Sequence, residues 1–129
     1  MALPPLHNRK ILLVDSAPSM VNIARSLLKK EGAHVVVAGS MSKGVQELGS
    51  DKFDILITER ELPDGDGLDF VKKASDSDAN KNTPVVMFTG ITESAEIQKS
   101  IQSGAKGYIV KPFTPQNFMK QINKVLGTS

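Results

Sequence analysis

The sequence contains no cysteine, no tryptophan and a single tyrosine in 129 residues. Without cysteine the chain can form neither disulfides nor thiolate metal sites, a composition typical of a reducing compartment, so we expect a cytoplasmic location. Long apolar runs are also missing, because the pure runs are short blocks such as residues 11–14. Crossing a bilayer requires roughly 20 apolar residues in a row, and the sequence therefore predicts no membrane segment.

An excess of one charge is missing as well, because 16 lysines and arginines stand against 14 aspartates and glutamates. No run of like charge is long enough to indicate a nucleic-acid-binding tail. The length suits one domain, and a hydrophobic fraction of 40% is ordinary for a globular one. The first eight residues hold a proline pair and lack the layout of a signal peptide. We interpret residues 1–8 as a flexible N-terminal arm and residues 9–127 as the domain.

What the sequence does contain is a regular alternation of short apolar blocks and stretches of helical period. The blocks are rich in valine and isoleucine, as strands buried on both faces of a parallel sheet are. They occupy residues 11–14, 34–38, 55–57, 85–88 and 108–110. Five alternations with short connections predict an α/β fold, in which helices cover both faces of a doubly wound five-stranded parallel sheet.

Polar residues follow four of these predicted strands. In a doubly wound sheet, the loops beyond the carboxyl ends of the strands form the functional site. The residues in those loops are Asp15 and Ser16 after the first strand, Glu59 and Glu61 after the third, Thr89 after the fourth and Lys111 after the fifth. The sequence therefore predicts a site in which carboxylates, a hydroxyl and an ammonium converge from four distant segments.

A family resemblance is carried by four segments, KILLVDS at 10–16, FDILITERELPDGDGLDF at 53–70, VVMFTG at 85–90 and GAKGYIVKPF at 104–113. Together they resemble the receiver domains of response regulators, including the chemotaxis regulators, from about residue 9 to residue 126. The family fold is flavodoxin-like, with strand order 2-1-3-4-5. The resemblance implies that residues 9–127 form a bacterial receiver domain of two-component phosphorelay signal transduction and that the chain is not an enzyme.

The resemblance also implies roles for individual residues. Glu59 stands at the position of the family's phosphate-accepting aspartate, and Asp15 with Ser16 at its pair of metal-binding acids. Lys111 and Thr89 match the family's lysine and switch threonine.

Further roles concern the last strand. Tyr108 matches the switch aromatic, and Pro112 implies a cis peptide bond after the lysine. The docking surface implied by the family is the face of helix four, strand five and helix five, to which we assign Ile91, Lys106 and Tyr108.

Three departures from the family pattern affect the chemistry. Ser16 supplies no carboxylate, Glu59 is one methylene longer than aspartate, and Glu61 stands where the family offers a main-chain carbonyl. Mg2+ requires near-ideal octahedral oxygen geometry, and a displacement on the order of 1 Å can cost roughly 100-fold in a positioned reaction. We therefore expect no firmly bound cofactor, with Asp15, Glu59 and Glu61 only weak candidate ligands for Mg2+.

Two functions remain open at this point. The leading prediction is an atypical receiver, or pseudo-receiver, that acts by protein contact, with a histidine kinase or downstream effector as partner and neither nucleic acid nor membrane. The alternative is a receiver that accepts phosphate on Glu59 or Asp15 with Mg2+. We expect a monomer or weak dimer. The Glu59 carboxylate should accept from Thr89 or pair with Lys111, in an arrangement that mimics either the active or the inactive state.

Overall fold

The computed structural model describes residues 3–127, which form a five-stranded parallel sheet. The strands are β1 (Lys10–Val14), β2 (His34–Ala38), β3 (Ile55–Thr58), β4 (Val85–Thr89) and β5 (Gly107–Val110), and their order is β2-β1-β3-β4-β5. The predicted strands and the predicted order are confirmed. The order reverses direction between β1 and β3, which places the loops after these two strands beside each other at the switch point.

Five helices alternate with the strands: α1 (Pro18–Lys30), α2 (Met41–Ser50), α3 (Gly67–Ser75), α4 (Ser94–Gln102) and α5 (Pro115–Leu126). Side chains alternate between the two faces of the sheet, so Ile11 and Leu13 pack with α1 and α5 while Leu12 and Val14 pack with α2 and α3. The predicted helices on both faces are confirmed. Between residues 3 and 127, none of the helices has the length and apolar character to cross a membrane.

Helix α4 is the least embedded of the five. Ser100 is its one buried residue, whereas α3 buries Phe70, Val71 and Ala74. Its N-cap, Glu93, makes no side-chain capping bond. Because burial of an apolar face is what mainly stabilises a helix in a protein, the position of α4 depends more than that of the other helices on polar contacts.

A short β-hairpin, Glu61–Leu62 paired with Gly65–Asp66, follows β3. Its turn residue Asp64 accepts hydrogen bonds from the first two amides of α2, and these bonds hold the pKa of its carboxyl below the usual range. Gly67 ends the hairpin so close to β3 that a Cβ there would lie 2.1 Å from the Glu59 carbonyl oxygen. The hairpin therefore fixes the loop that carries Glu59.

The N-terminal segment differs from the flexible arm predicted for residues 1–8. Leu6 is fully buried in the core beside α1, and its amide donates to the Glu31 carbonyl at 2.9 Å. Gly32, at φ 98°, lets the segment approach, since a Cβ there would lie 3.0 Å from the His7 Cα. Residues 4–8 are therefore docked on the domain, while residues 1 and 2 of the predicted arm lie outside the described residues.

Candidate functional site

The carboxyl ends of three strands bring the predicted site residues together. Asp15 directly follows β1, Glu59 follows β3 and Lys111 follows β5. Strand-like hydrogen bonds continue into these positions: the Asp15 amide donates to Ala38, the Glu59 amide to Val14 and the Lys111 amide to Thr89. The side chains are consequently positioned by the sheet itself.

Lys111 lies between two carboxylates. Its ammonium Nζ is 2.6 Å from Asp15 Oδ2 and 2.6 Å from Glu59 Oε2, which fulfils the expectation that it contacts one of them. The side chain of Asp15 is 1% exposed, and those of Glu59 and Lys111 are each 13% exposed. The ammonium also lies 4.6 Å from the centre of the Phe88 ring. The Lys111–Pro112 peptide bond is cis, as predicted.

The remaining oxygens of the two carboxylates are also occupied. Asp15 Oδ1 accepts from the Ala17 amide at 2.9 Å. Glu59 Oε1 accepts from the amides of Arg60 at 2.6 Å and Glu61 at 3.2 Å. Each of the four carboxylate oxygens thus already has an N–H donor. Two partners were expected for the Glu59 carboxylate, Thr89 and Lys111. Among the described residues it accepts a hydrogen bond from Lys111 and none from Thr89, the last residue of β4.

Thr89 and Tyr108 both contact the loop before α4. Thr89 is buried and its hydroxyl accepts from the Ile91 amide at 3.4 Å, while the Tyr108 hydroxyl donates to the Ile91 carbonyl at 2.7 Å. Burial raises the pKa of the Tyr108 phenol, an effect that the nearby Arg60 opposes and the carboxylate of Glu59 reinforces. The predicted switch residues therefore meet at one loop.

Lys106 is placed apart from the other two residues of the predicted docking surface. It is exposed at the beginning of β5, where its amide donates to the carbonyl of Val85, the first residue of β4. Ile91 follows the other end of β4, so the two residues lie at opposite ends of the strand. The assignment of Lys106 to the same docking surface as Ile91 therefore stays a prediction, and it requires a surface that spans the length of β5.

A second cation-centred cluster was not found from the sequence. The buried side chain of Arg60 lies between Asp66, whose Oδ1 is 2.8 Å from its Nε, and Glu96, which its guanidinium contacts directly. The cluster lines an open groove of about 830 Å3 between the hairpin and the start of α4. An arginine directly after Glu59 was the available signal, but the carboxylate it binds in α4 is 36 residues away.

Comparison with known proteins places these features in a family. The model of the response regulator receiver domain matches residues 11–123. The chain is a member of this family. Its sequence is 34% identical to that of the Chemotaxis protein CheY1 of Helicobacter pylori over 122 residues, which cover 93% of this chain and 98% of that protein. The Chemotaxis protein CheY of Pseudomonas aeruginosa is 32% identical, over 90% and 94% of the two chains.

A solved structure agrees with this assignment. The chemotaxis response regulator CheY4 of Vibrio cholerae superposes with a TM-score of 0.86 and 29% identity, covering 92% of this receiver and 98% of that chain. The flavodoxin-like architecture is therefore confirmed. The chain is a receiver domain of the two-component type and belongs to a family of signalling proteins.

The metal of the family does not fit the residues of this receiver. Ser16 and Glu61 are exposed, and the carboxylate oxygens of Asp15 and Glu59 already accept from N–H groups. The Lys111 ammonium lies 2.6 Å from one oxygen of each carboxylate. Over residues 3–127 no three acidic, histidine or cysteine side chains are grouped as metal ligands.

Proposed function

We propose that this receiver is a pseudo-receiver, which signals by protein contact and does not take up phosphate at the usual position. Glu59 takes the position of the phosphate-accepting aspartate. The observation that supports the proposal is the Lys111 ammonium 2.6 Å from both Asp15 and Glu59. The extra methylene of Glu59 displaces its oxygens on the order of 1 Å from those of an aspartate, and the ammonium and two amides hold the carboxylate in that displaced position, which disfavours aligned attack on phosphorus.

The same contacts suggest how the domain replaces its metal. In a receiver with a full acid set, the charges of the clustered carboxylates are balanced by Mg2+. Here one acid is replaced by Ser16, and a single ammonium balances the remaining pair, Asp15 and Glu59. We propose that the pocket is therefore held in one charge state.

Incubation with acetyl phosphate or phosphoramidate and Mg2+, followed by intact mass spectrometry, tests the proposal. We expect no stable mass gain of one phosphoryl group on the wild-type chain. The matched control is the double variant Ser16→Asp/Glu59→Asp, which restores the acid set and should take up phosphate. A stable gain on the wild type would instead establish the alternative, a phosphate-accepting receiver that uses Glu59 or Asp15 with Mg2+.

The partner that we propose is a protein, either a histidine kinase or a downstream effector, bound on the side of α4, β5 and α5. The support for this surface is the contact between the half-buried Tyr108 and Ile91, which joins β5 to the loop before α4. Binding of a partner captured from the native organism should be reduced by Tyr108→Ala. It should be unchanged by Ile23→Ala, which alters an exposed apolar residue of α1. Equal effects of the two substitutions would argue against this surface.

A further inference from the structure

Arg60 connects three elements that the family mechanism does not require it to connect. Its backbone belongs to the loop after β3, its Nε donates to the α3 N-cap residue Asp66 at 2.8 Å, and its guanidinium also contacts Glu96 in the first turn of α4. Burial disfavours the charge on Arg60, but the hydrogen bonds to Asp66 and Glu96 outweigh burial and raise the pKa of the guanidinium. The side chain is therefore a permanent charged link between loop and helix.

The same residue is bonded to the pocket through its backbone. The Arg60 amide donates to Glu59 Oε1 at 2.6 Å, so the carboxylate of Glu59 fixes the peptide from which the arginine side chain departs. The Arg60 carbonyl accepts from the Gly67 amide at 2.7 Å, which closes the hairpin behind it. A change in the charge or length of the side chain at position 59 must therefore disturb the origin of the link to α4.

Helix α4 is the element that such a link can move. It buries Ser100 alone and has no side-chain N-cap, so few apolar contacts hold its first turn. In the described part of the chain, three hydrogen bonds hold this region from outside: the one from Arg60 to Glu96, and two at Ile91, whose carbonyl accepts from Tyr108 and whose amide donates to the Thr89 hydroxyl. The bond from Arg60 is the one of the three that reaches the helix itself.

We propose that Arg60 is a positioning residue that ties the first turn of α4 to the Glu59 loop, so that changes at Glu59 reach α4 through Arg60. The link is separate from the route through Thr89 and Tyr108, since it passes along the hairpin side of the groove. Its biological use rests on the proposed function, because α4 is part of the proposed partner surface. The coupling itself is measured without a partner, so the phosphate-uptake assay and this test fail independently.

Amide hydrogen exchange of residues 94–102 tests the link in four proteins: wild type, Glu59→Gln, Arg60→Met and the double variant. Loss of a charged hydrogen bond to a partly exposed carboxylate should raise the exchange rate in α4 by about threefold to tenfold. We expect each single substitution to raise the exchange rate of α4. The rate in the double variant should be only slightly higher than that in the more affected single variant. The proposal is overturned if Glu59→Gln has its full effect in the Arg60→Met background, or if Arg60→Met leaves α4 unchanged.

Two further variants guard against simple damage to the fold. Glu96→Gln removes the α4 end of the link and should reproduce the effect of Arg60→Met. If Arg60→Met does not fold, Glu96→Gln takes its place in the comparison of the four proteins. Glu93→Gln is the matched control, because Glu93 lines the same groove and occupies the N-cap position of the same helix, but makes neither a capping bond nor an ion pair with Arg60. Equal exchange in Glu93→Gln and Glu96→Gln would overturn the proposal.

Tyr108 supplies a readout that mere loosening would not mimic. It is the single tyrosine of a chain without tryptophan, so its ionisation is followed directly by ultraviolet absorbance. Burial raises the pKa of the phenol, and the charge of Arg60 opposes that rise. In Arg60→Met the titration should therefore move to higher pH, whereas exposure of the ring by general loosening would move it to lower pH. A downward shift would overturn the proposal.

Discussion

The domain contains two clusters in which one cation lies between two carboxylates, and they differ mainly in their access to water. Lys111 lies between Asp15 and Glu59, whose side chains are 1% and 13% exposed. Arg60 lies between Asp66 and Glu96, whose side chains are 44% and 37% exposed. In the cluster of Lys111, Asp15 and Glu59, called the dry cluster below, water cannot easily replace a lost partner. In the cluster of Arg60, Asp66 and Glu96, called the half-hydrated cluster, it can.

This difference assigns the two clusters different roles. In the dry cluster, each ion depends on the others, because an unpaired charge there keeps most of its desolvation penalty. In the half-hydrated cluster, solvent screens the charges, so the contacts add little to stability and mainly fix the position of the side chains they join. Arg60 and Lys111, which both lie in loops after strands of the sheet, thus serve two purposes. Lys111 holds the pocket together, and Arg60 positions a helix.

The largest expected effect comes from removing the cation of the dry cluster. Lys111→Met should lower the free energy of unfolding by roughly 3 kcal/mol, because it leaves Asp15 and Glu59 buried and uncompensated. Chemical denaturation at neutral pH measures the loss. Lys106→Met, which alters an exposed lysine at the other end of β5, is the control and should change stability by less than about 0.5 kcal/mol.

A second substitution sharpens this result. Adding Glu59→Gln to Lys111→Met removes one of the two uncompensated charges and should recover part of the lost stability. If Lys111→Met lowers the stability as little as Lys106→Met does, water can solvate Asp15 and Glu59 once the lysine is gone. The distinction between a dry and a half-hydrated cluster would then be wrong.

A smaller effect is expected in the half-hydrated cluster. Arg60→Met should lower the free energy of unfolding by about 1 kcal/mol, since water can rehydrate Asp66 and Glu96 once the arginine is gone. Repeating the denaturation in about 1 M salt should reduce this difference, because salt screens exposed charges more than buried ones. The stability loss caused by Lys111→Met should persist in the same salt concentration. If salt reduced the losses of both variants equally, the two clusters would not differ in their access to water.

The smallest expected effect on stability comes from Asp66, and this effect should depend on pH. Burial opposes ionisation of Asp66, but hydrogen bonds from the Leu68 amide and Arg60 outweigh it and lower the pKa of the carboxyl. The stabilisation is therefore complete above about pH 4 and is lost as the pH falls through the lowered folded value. Asp66→Asn keeps a capping side chain and should cost only about 0.5 kcal/mol at neutral pH.

This deficit should narrow as the pH falls toward and through the lowered pKa of the folded-state carboxyl, because proton uptake removes the charge that the variant lacks. Denaturation at neutral pH and near pH 3 compares the variant with Asp78→Asn, an exposed aspartate for which the described residues show no ion pair. A deficit that stays constant between the two pH values would mean that Asp66 acts through its cap alone.

The sheet and the pocket were predictable because their signals are local. Apolar blocks of valine and isoleucine mark the strands, and the ends of parallel strands meet at one edge, so Asp15, Glu59 and Lys111 could be brought together from their positions alone. The contacts made by Arg60 were not predictable in this way. Whether an arginine after a strand finds a carboxylate in a helix 36 residues later depends on the packing of that helix.

Two other differences have equally physical causes. The hairpin at 61–66 consists of strands of two residues, too short for any alternation of apolar and polar positions to appear. Leu6 is one apolar residue after a proline pair, and a single residue carries no period from which burial could be inferred. The sequence interpretation therefore failed where structure depends on one or two side chains.

The burial of Leu6 bears on where this domain begins when it is joined to something else. The family match starts at residue 11, yet a fully buried core side chain lies five positions earlier. A version trimmed to residue 9 would leave a hole beside α1, and a buried leucine contributes roughly 1.5 to 3 kcal/mol. A tag or fusion partner is thus best attached ahead of Pro4, so that the leucine stays seated and the junction falls outside the core.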